Sequence, residues 1–240
     1  MAKLSGLIER SYGRVFKTTL HAVNPIKKAV VRTECRVHRF INNQSIIILK
    51  NDGYINAYNL FKKHIDDLNF GVVWADQDLK NSNHFYNPQK NRGLYGFSNA
   101  FKECTVYYTS SLVWWKNRNI KKSMFYLGAA CHLVQDVTVP QHVNIKLFKH
   151  HRQYERWVLR TYANEKSFRC FSNGIYLDNI KDYFDQNAEV ALSAYNKNKE
   201  IINIEKRYFN ITHIALCQAQ RSTAGFLNMF YNAIEDIPLN

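Results

Sequence analysis

The feature that most constrains the fold is a dense set of histidines and carboxylates within residues 132–155. His132 and Asp136 are four residues apart, and His151 and Glu155 repeat that spacing. Side chains four residues apart on an α-helix lie on one face, so each pair predicts a helix that presents both groups together. The segment therefore predicts two helices whose polar faces meet.

Two further residues join these pairs into one predicted site. Pro140 is expected to stop the first helix and to turn the chain so that His142 points back at the same cluster. The histidines at 132, 142 and 151 and the carboxylates at 136 and 155 form the mixture of nitrogen and oxygen donors that zinc prefers. One histidine–carboxylate pair alone is more often a surface ion pair, but two pairs that flank Pro-x-His favour a metal site.

The composition favours an all-α fold. Apolar residues make up 46% of the 240, an ordinary globular share, whereas 9 Gly and 4 Pro are few for a β protein rich in turns. The long stretch 74–96 lacks apolar periodicity and predicts a loop. We expect one compact multi-helix domain over residues 31–240. Apolar periodicity predicts its helices over 36–49, 55–68, 97–117, 119–136, 150–164, 180–199 and 208–234.

Residues 1–30 form a separate N-terminal stretch, a basic amphipathic helix or a leader. Apolar side chains at helical spacing over 3–23, with lysines and arginines off the stripe, predict that helix. It would lie either on a membrane surface or against the domain core. The chain has no run of about 18 apolar residues, and its first residues lack the apolar core of a secretory signal.

The net charge indicates a class of binding partner, and the cysteines indicate whether disulfides are expected. A formal net charge of +14 is typical of proteins attracted to phosphate-rich partners, either nucleic acid or an anionic membrane surface. The 5 cysteines are odd in number and scattered, which argues against a disulfide framework.

Residues 125–144 resemble the signature of the zinc-dependent phospholipase C family, which belongs to the phospholipase C/P1 nuclease superfamily. The signature has a His, an Asp four residues on, a Pro four further and a His two beyond. Upstream, Asp76 in Trp-Ala-Asp and His84 in His-Phe-Tyr-Asn-Pro resemble two further family ligands, and His38 resembles the first. The resemblance runs in matching order from about residue 38 to residue 160.

The resemblance implies an all-α phospholipase C fold and two to three Zn²⁺ ions. It assigns the first ion to Asp76, His84, His132 and Asp136, the second to His142, His151 and Glu155, and the third to His38 and the bridging Asp136. Asp76 is also a candidate catalytic base, and the sequence does not separate its metal and base roles. Divalent ions suit phosphodiester hydrolysis because they neutralise phosphate charge and activate water.

The sequence departs from the family pattern at the third ion. The family completes that site with an N-terminal Trp, but no Trp precedes Trp74. Either the chain is cleaved near residues 25–28, another ligand substitutes, or the third ion binds weakly. Cys35, three residues before His38 and expected on the same helical face, is the candidate substitute. Gln135 stands where the family has Gly, a change that we expect to be minor on a helix.

Three functional hypotheses follow. The first is phospholipase C action at a phospholipid membrane surface, which releases diacylglycerol and a phosphorylated headgroup. The second is a P1-like nuclease, the only case in which we expect a specific nucleic-acid partner. The third is a catalytically weak, membrane-associated zinc protein.

Overall fold

The computed structural model describes residues 35–76, 85–88, 99–144 and 151–235. Within these ranges the chain folds into helices without a β-sheet, which confirms the predicted all-α class. The helices are α1 (Arg36–Asn51), α2 (Ile55–Lys63), α3 (Ile65–Asp76), α4 (Ala100–Lys116), α5 (Ile120–Asp136), α6 (Pro140–Val143), α7 (His151–Thr161), a 3₁₀ turn (Lys166–Phe168), α8 (Ile180–Asn198) and α9 (Ile204–Glu235). The amphipathic helix predicted over 3–23 lies outside the described residues.

Two predictions between residues 55 and 96 need correction. The single helix predicted over 55–68 is two helices, because α2 ends at Lys63 and α3 begins at Ile65. Asp66 and Asp67 occupy the first turn of α3, where negative charge stabilises a helix N-terminus. The stretch predicted as a loop from residue 74 is helical at its start, since α3 continues to Asp76.

Helix α5 is the central element of the fold. Its C-terminal half is buried on every face, as expected for a helix surrounded by others. Helices α1, α3, α4, α8 and α9 pack around it. Among the described helices, none combines the length and apolar character needed to cross a bilayer.

Glycines let the backbones of α3 and α5 touch. A methyl group on Gly128 would lie 2.0 Å from the carbonyl oxygen of Leu68, and one on Gly71 would lie 1.9 Å from that of Phe125. Side-chain carbon atoms cannot approach backbone so closely. The contact therefore depends on the missing Cβ atoms at both positions.

Asp52, in the turn after α1, ties that turn to the loop before α8. Its carboxylate accepts hydrogen bonds from the amides of Asn173 (2.9 Å) and Gly174 (2.7 Å) and from the Tyr176 hydroxyl (2.7 Å). Partial burial favours the neutral acid, but these hydrogen bonds outweigh it and lower the pKa of Asp52.

We expect Asp52→Asn to destabilise the fold by about 1 kcal/mol at pH 7, since solvent near the carboxylate weakens these bonds. The folded-state pKa lies below the unfolded one, so the ionised group stabilises the fold above the ordinary aspartate range. That contribution is lost as the pH falls through the folded pKa. Melting temperatures should therefore differ at neutral pH and converge in acid. The exposed Asp178→Asn is the control, and a difference that persists in acid would contradict the argument.

Candidate metal centre

Asp136, the last residue of α5, is the hub of a buried histidine cluster. Its Oδ2 lies 3.2 Å from Nε2 of His132, one helical turn earlier, and 3.7 Å from Nδ1 of His142. Its Oδ1 lies 3.4 Å from Nε2 of His38 on α1. Three helices thus bring three imidazoles to one carboxylate that is only 4% exposed.

A second group lies beside the hub, where α6 meets α7. Nε2 of His151 lies 3.0 Å from Nε2 of His142 and 3.0 Å from Oε1 of Glu155. The ring of Phe85 stacks on His142 at 5.6 Å between centroids. His142 therefore joins the two groups, with one ring nitrogen towards Asp136 and the other towards His151.

Pro140 positions His142 in a different way from the one predicted. Helix α5 ends at Asp136, four residues before the proline, so Pro140 does not stop it. Instead Pro140 is the first residue of α6, a position that proline favours because no intrahelical partner is needed for its nitrogen. His142 nevertheless lies beside the end of α5, with its Nδ1 3.7 Å from Oδ2 of Asp136.

Cys35 extends the first group of donors. Ligand atoms of Cys35, His38 and His132 all lie within 4.8 Å of one another. Cys35 is not on the helical face predicted for it, because it is the N-cap of α1 and has a left-handed backbone with φ 45°. Its thiol nevertheless reaches the pocket and hydrogen-bonds to Asp76.

Gln135 contacts the candidate site through a side chain that the sequence interpretation treated as a minor change. It is buried, and its Oε1 lies 2.9 Å from Nδ1 of His38. Its amide nitrogen donates to Asn42 (2.8 Å) and to Thr223 (3.2 Å), so the orientation of the amide is fixed. The change that we expected to be minor therefore orients a candidate ligand. Its position one residue before Asp136 was the only signal in the sequence.

The hydrogen bond from His38 to Gln135 tests whether the site suits a metal. Because Oε1 of Gln135 can only accept, Nδ1 of His38 donates, and a neutral ring then has its lone pair on Nε2. That lone pair faces Oδ1 of Asp136 at 3.4 Å. Two acceptors in this arrangement are stabilised by a cation between them.

The distances between donors also suit zinc. Bonds of about 2.0–2.2 Å to a tetrahedral zinc separate neighbouring ligand atoms by about 3.3–3.5 Å. The separations at Asp136 are 3.2, 3.4 and 3.7 Å, and those at His151 are 3.0 and 3.0 Å. Nitrogen and carboxylate oxygen are the donors expected for this ion, so the residues fit the group.

The pKa values of two histidines beside Asp136 are shifted in opposite directions. Burial and the neighbouring charge of His132 lower the pKa of His38. Burial acts in the same direction on His132, but the charge of Asp136 and a hydrogen bond to it outweigh burial and raise its pKa. Burial favours the neutral form of Glu155, but the hydrogen bond and charge of His151 outweigh it and lower the pKa. Burial, followed by the charge of Asp76, raises the pKa of the Cys35 thiol well above its ordinary value.

Part of this donor set lines a cavity of about 480 Å³. Its charged and polar lining includes Cys35, Arg36, His38, Asp76, Gln135, Asp136, His142 and Glu155. Its aliphatic lining includes Val37, Ile41, Val139, Val158, Leu159 and Leu216. The cavity thus offers both charged and apolar contacts to a bound molecule.

The structure brings together most of the residues predicted from sequence. The six that meet in contact are His38, His132, Asp136, His142, His151 and Glu155. Asp76, at the end of α3, lines the same cavity. His84 lies outside the described residues.

Comparisons with known proteins point to one family. The model of the zinc dependent phospholipase C family matches residues 37–202. A phospholipase C of Listeria monocytogenes is 26% identical over 229 residues, which cover 82% of this chain and 78% of the relative. A phospholipase C of Bacillus cereus is 25% identical over 206 residues, which cover 71% of this chain and 70% of the relative.

Solved structures share the fold. The alpha-toxin of Clostridium perfringens superposes with a TM-score of 0.70 at 19% identity and covers 83% of this chain. The alpha toxin of Clostridium absonum gives a TM-score of 0.73 at 20% identity and covers 84%. The chain spans 64% and 65% of the length of these two toxins.

Proposed function

The chain belongs to the zinc-dependent phospholipase C family, and we propose that it hydrolyses glycerophospholipids to diacylglycerol and a phosphorylated headgroup. The observation that carries the proposal is the convergence of three imidazoles on Asp136, beside the His142–His151–Glu155 group. Of these residues, His38, Asp136, His142 and Glu155 line one cavity. Zinc ions bound there would supply positive charge to the phosphate oxygens and activate water for attack on phosphorus.

The division of the ligands into ion sites is part of the proposal. His132 and Asp136, with Asp76 and His84, would hold one ion. His142, His151 and Glu155 would hold a second, and their mutual contacts of 3.0 Å support this set. His38 and Asp136 would hold a third, which the acceptor-to-acceptor contact between them supports.

The chain's own residues have three tasks in this proposal. Gln135 fixes the His38 ring so that its second nitrogen faces the hub. Asp136 shares its two oxygens among neighbouring imidazoles, which keeps the ion sites close enough to contact one phosphate. Asp76 borders the cavity, where its carboxylate would orient the attacking water or accept its proton.

The substrate class is supported by the mixed lining of the cavity. Its metal-ligand candidates suit a phosphate, and its aliphatic side chains suit the glycerol and acyl portion of a lipid. A net charge of +14 supports attraction to an anionic membrane surface, but it would also favour a nucleic acid.

The test compares zinc-loaded protein on phospholipid vesicles and on single-stranded DNA. We expect release of diacylglycerol and phosphorylated headgroup from vesicles, and little cleavage of DNA. Removing zinc with a chelator should abolish hydrolysis, and added zinc should restore it, because the donors alone carry no charge able to neutralise the phosphate. Cleavage of DNA without lipid turnover would establish the nuclease instead. Bound zinc without turnover of either substrate would establish a catalytically silent protein.

A further inference from the structure

We propose that Cys35 is a thiolate ligand to the zinc ion that His38 and Asp136 would hold. The inference rests on the proposed function only for the identity of the metal. It adds a sulfur donor to a site otherwise built from nitrogen and oxygen, and it assigns a task to a residue just outside the first helix.

The first observation is the grouping of donors. The thiol sulfur of Cys35 and one nitrogen each of His38 and His132 lie within 4.8 Å of one another. His38 in turn lies 3.4 Å from Asp136, so thiol, imidazole and carboxylate border the same small space. A cysteine, a histidine and a carboxylate together are a donor set that zinc accepts.

The second observation is that Cys35 is oriented to the cavity and not into the core. Cys35 lines the cavity along with Asp76, and the Cys35 thiol hydrogen-bonds to Asp76. It caps α1 without a hydrogen bond from its side chain to the helix, so the sulfur has no capping task. Its carbonyl accepts from the amide of Arg39 at 3.2 Å, which fixes the backbone at the start of the helix.

Two of the other buried cysteines provide a contrast. Cys104 and Cys131 lie in the main hydrophobic core, where the Cys104 sulfur contacts the Ala130 carbonyl at 3.6 Å. Within the described residues neither belongs to a group of potential metal ligands. These are cysteines used as small apolar side chains, whereas Cys35 stands among histidines and carboxylates.

The chemistry balances without a further reactant. The thiol releases its proton to solvent when the thiolate binds the ion. Because the thiolate is negative, the net charge of the site is one unit lower than it would be with a neutral water molecule in the same position. Sulfur is also a softer donor than carboxylate and favours zinc over magnesium or calcium. No change in oxidation state is involved.

The test replaces zinc with Co²⁺ and records the absorption spectrum. Wild-type protein should show a near-ultraviolet band from charge transfer between thiolate and cobalt, and Cys35→Ser should lack it. Cys217→Ser, on α9 and outside the cavity, is the matched control and should keep the band. In competition with a chelator, Cys35→Ser should lose one zinc at least about ten-fold more readily than wild type.

A second measurement needs no variant and therefore holds if Cys35→Ser fails to fold. Alkylation of the unmodified chain, mapped by mass spectrometry, should label Cys35 in the metal-free protein and not in the zinc-loaded protein. Equal labelling in both forms, or a cobalt spectrum without the band, would overturn the assignment. A band in a protein that does not hydrolyse lipid would support Cys35 as a metal ligand and refute the proposed function. Hydrolysis of lipid without the band would support the proposed function and refute Cys35 as a ligand.

Discussion

Replacing Asp136 with asparagine is expected to lower phospholipid hydrolysis by more than about 100-fold and to release at least one zinc per chain. Loss of a residue that only orients a ligand already costs roughly 10–100-fold in metal affinity or activity. Asp136 contacts three imidazoles directly, at 3.2, 3.4 and 3.7 Å, so its removal affects more than one ion site. Asparagine keeps the shape but replaces one charged oxygen with an amide group that donates. Rates on vesicles and zinc content by atomic emission measure the two effects.

Asp67→Asn is the matched control, because it removes the same charge from another histidine–aspartate pair. Oδ2 of Asp67 lies 3.2 Å from Nδ1 of His64, a distance equal to that between Asp136 and His132. That pair is more exposed and lies outside the cavity. The control should therefore keep its zinc and its rate. If Asp136→Asn did the same, the hub would be a network of buried ion pairs and not a metal site.

The contacts within the candidate ligand pairs were predictable because the pairs are local in sequence. His132 with Asp136, and His151 with Glu155, are one helical turn apart, and both pairs are in contact at 3.2 Å and 3.0 Å. Helical periodicity fixes such a contact once the helix forms, whatever the rest of the chain does. His142 was predictable for a related reason, since a short turn begun by Pro140 returns it to the end of α5.

The contacts that orient the ligands were not predictable in this way. Gln135 and His38 are 97 positions apart, and their contact depends on how α1 packs against α5. Helical periodicity places Gln135 on α5 but does not say which of its neighbours receives the amide. The resemblance to the family gave no indication of this contact. The family has a glycine at this position, and glycine has no side chain that could suggest a role for Gln135.

The break between α2 and α3 shows the limit of apolar periodicity. Residues 55–68 carry a continuous apolar pattern, yet the amide of His64 bonds to the carbonyls of Leu60 and Phe61 as α2 ends. The neighbouring acidic residues at 66 and 67 then begin a second helix. A pattern of burial can continue from one helix into the next, so it predicts the buried face and misses the break.

Replacing Gly128 with alanine is expected to destabilise the fold by about 3 kcal/mol or more, at the upper end of the cost of overpacking a core. The new methyl would lie 2.0 Å from the carbonyl oxygen of Leu68 and 2.8 Å from its carbon. Both atoms are backbone, so no side-chain rotation relieves the clash and α3 must move away from α5. For a chain of this size the melting temperature should fall by roughly 6–12 °C.

The same displacement should weaken the metal centre, because Gly128 is one turn before His132 on α5. Gly53→Ala is the control for the alanine itself. It has open space around it but φ +92°, so only backbone strain of about 1 kcal/mol is expected there, without loss of zinc.

Gly71→Ala opens the same helix contact from the other side, so the variant with both substitutions should be destabilised by less than the sum of the two single variants. A Gly128→Ala protein that melts with the wild type, or losses that simply add, would mean that the two backbones do not touch at this point.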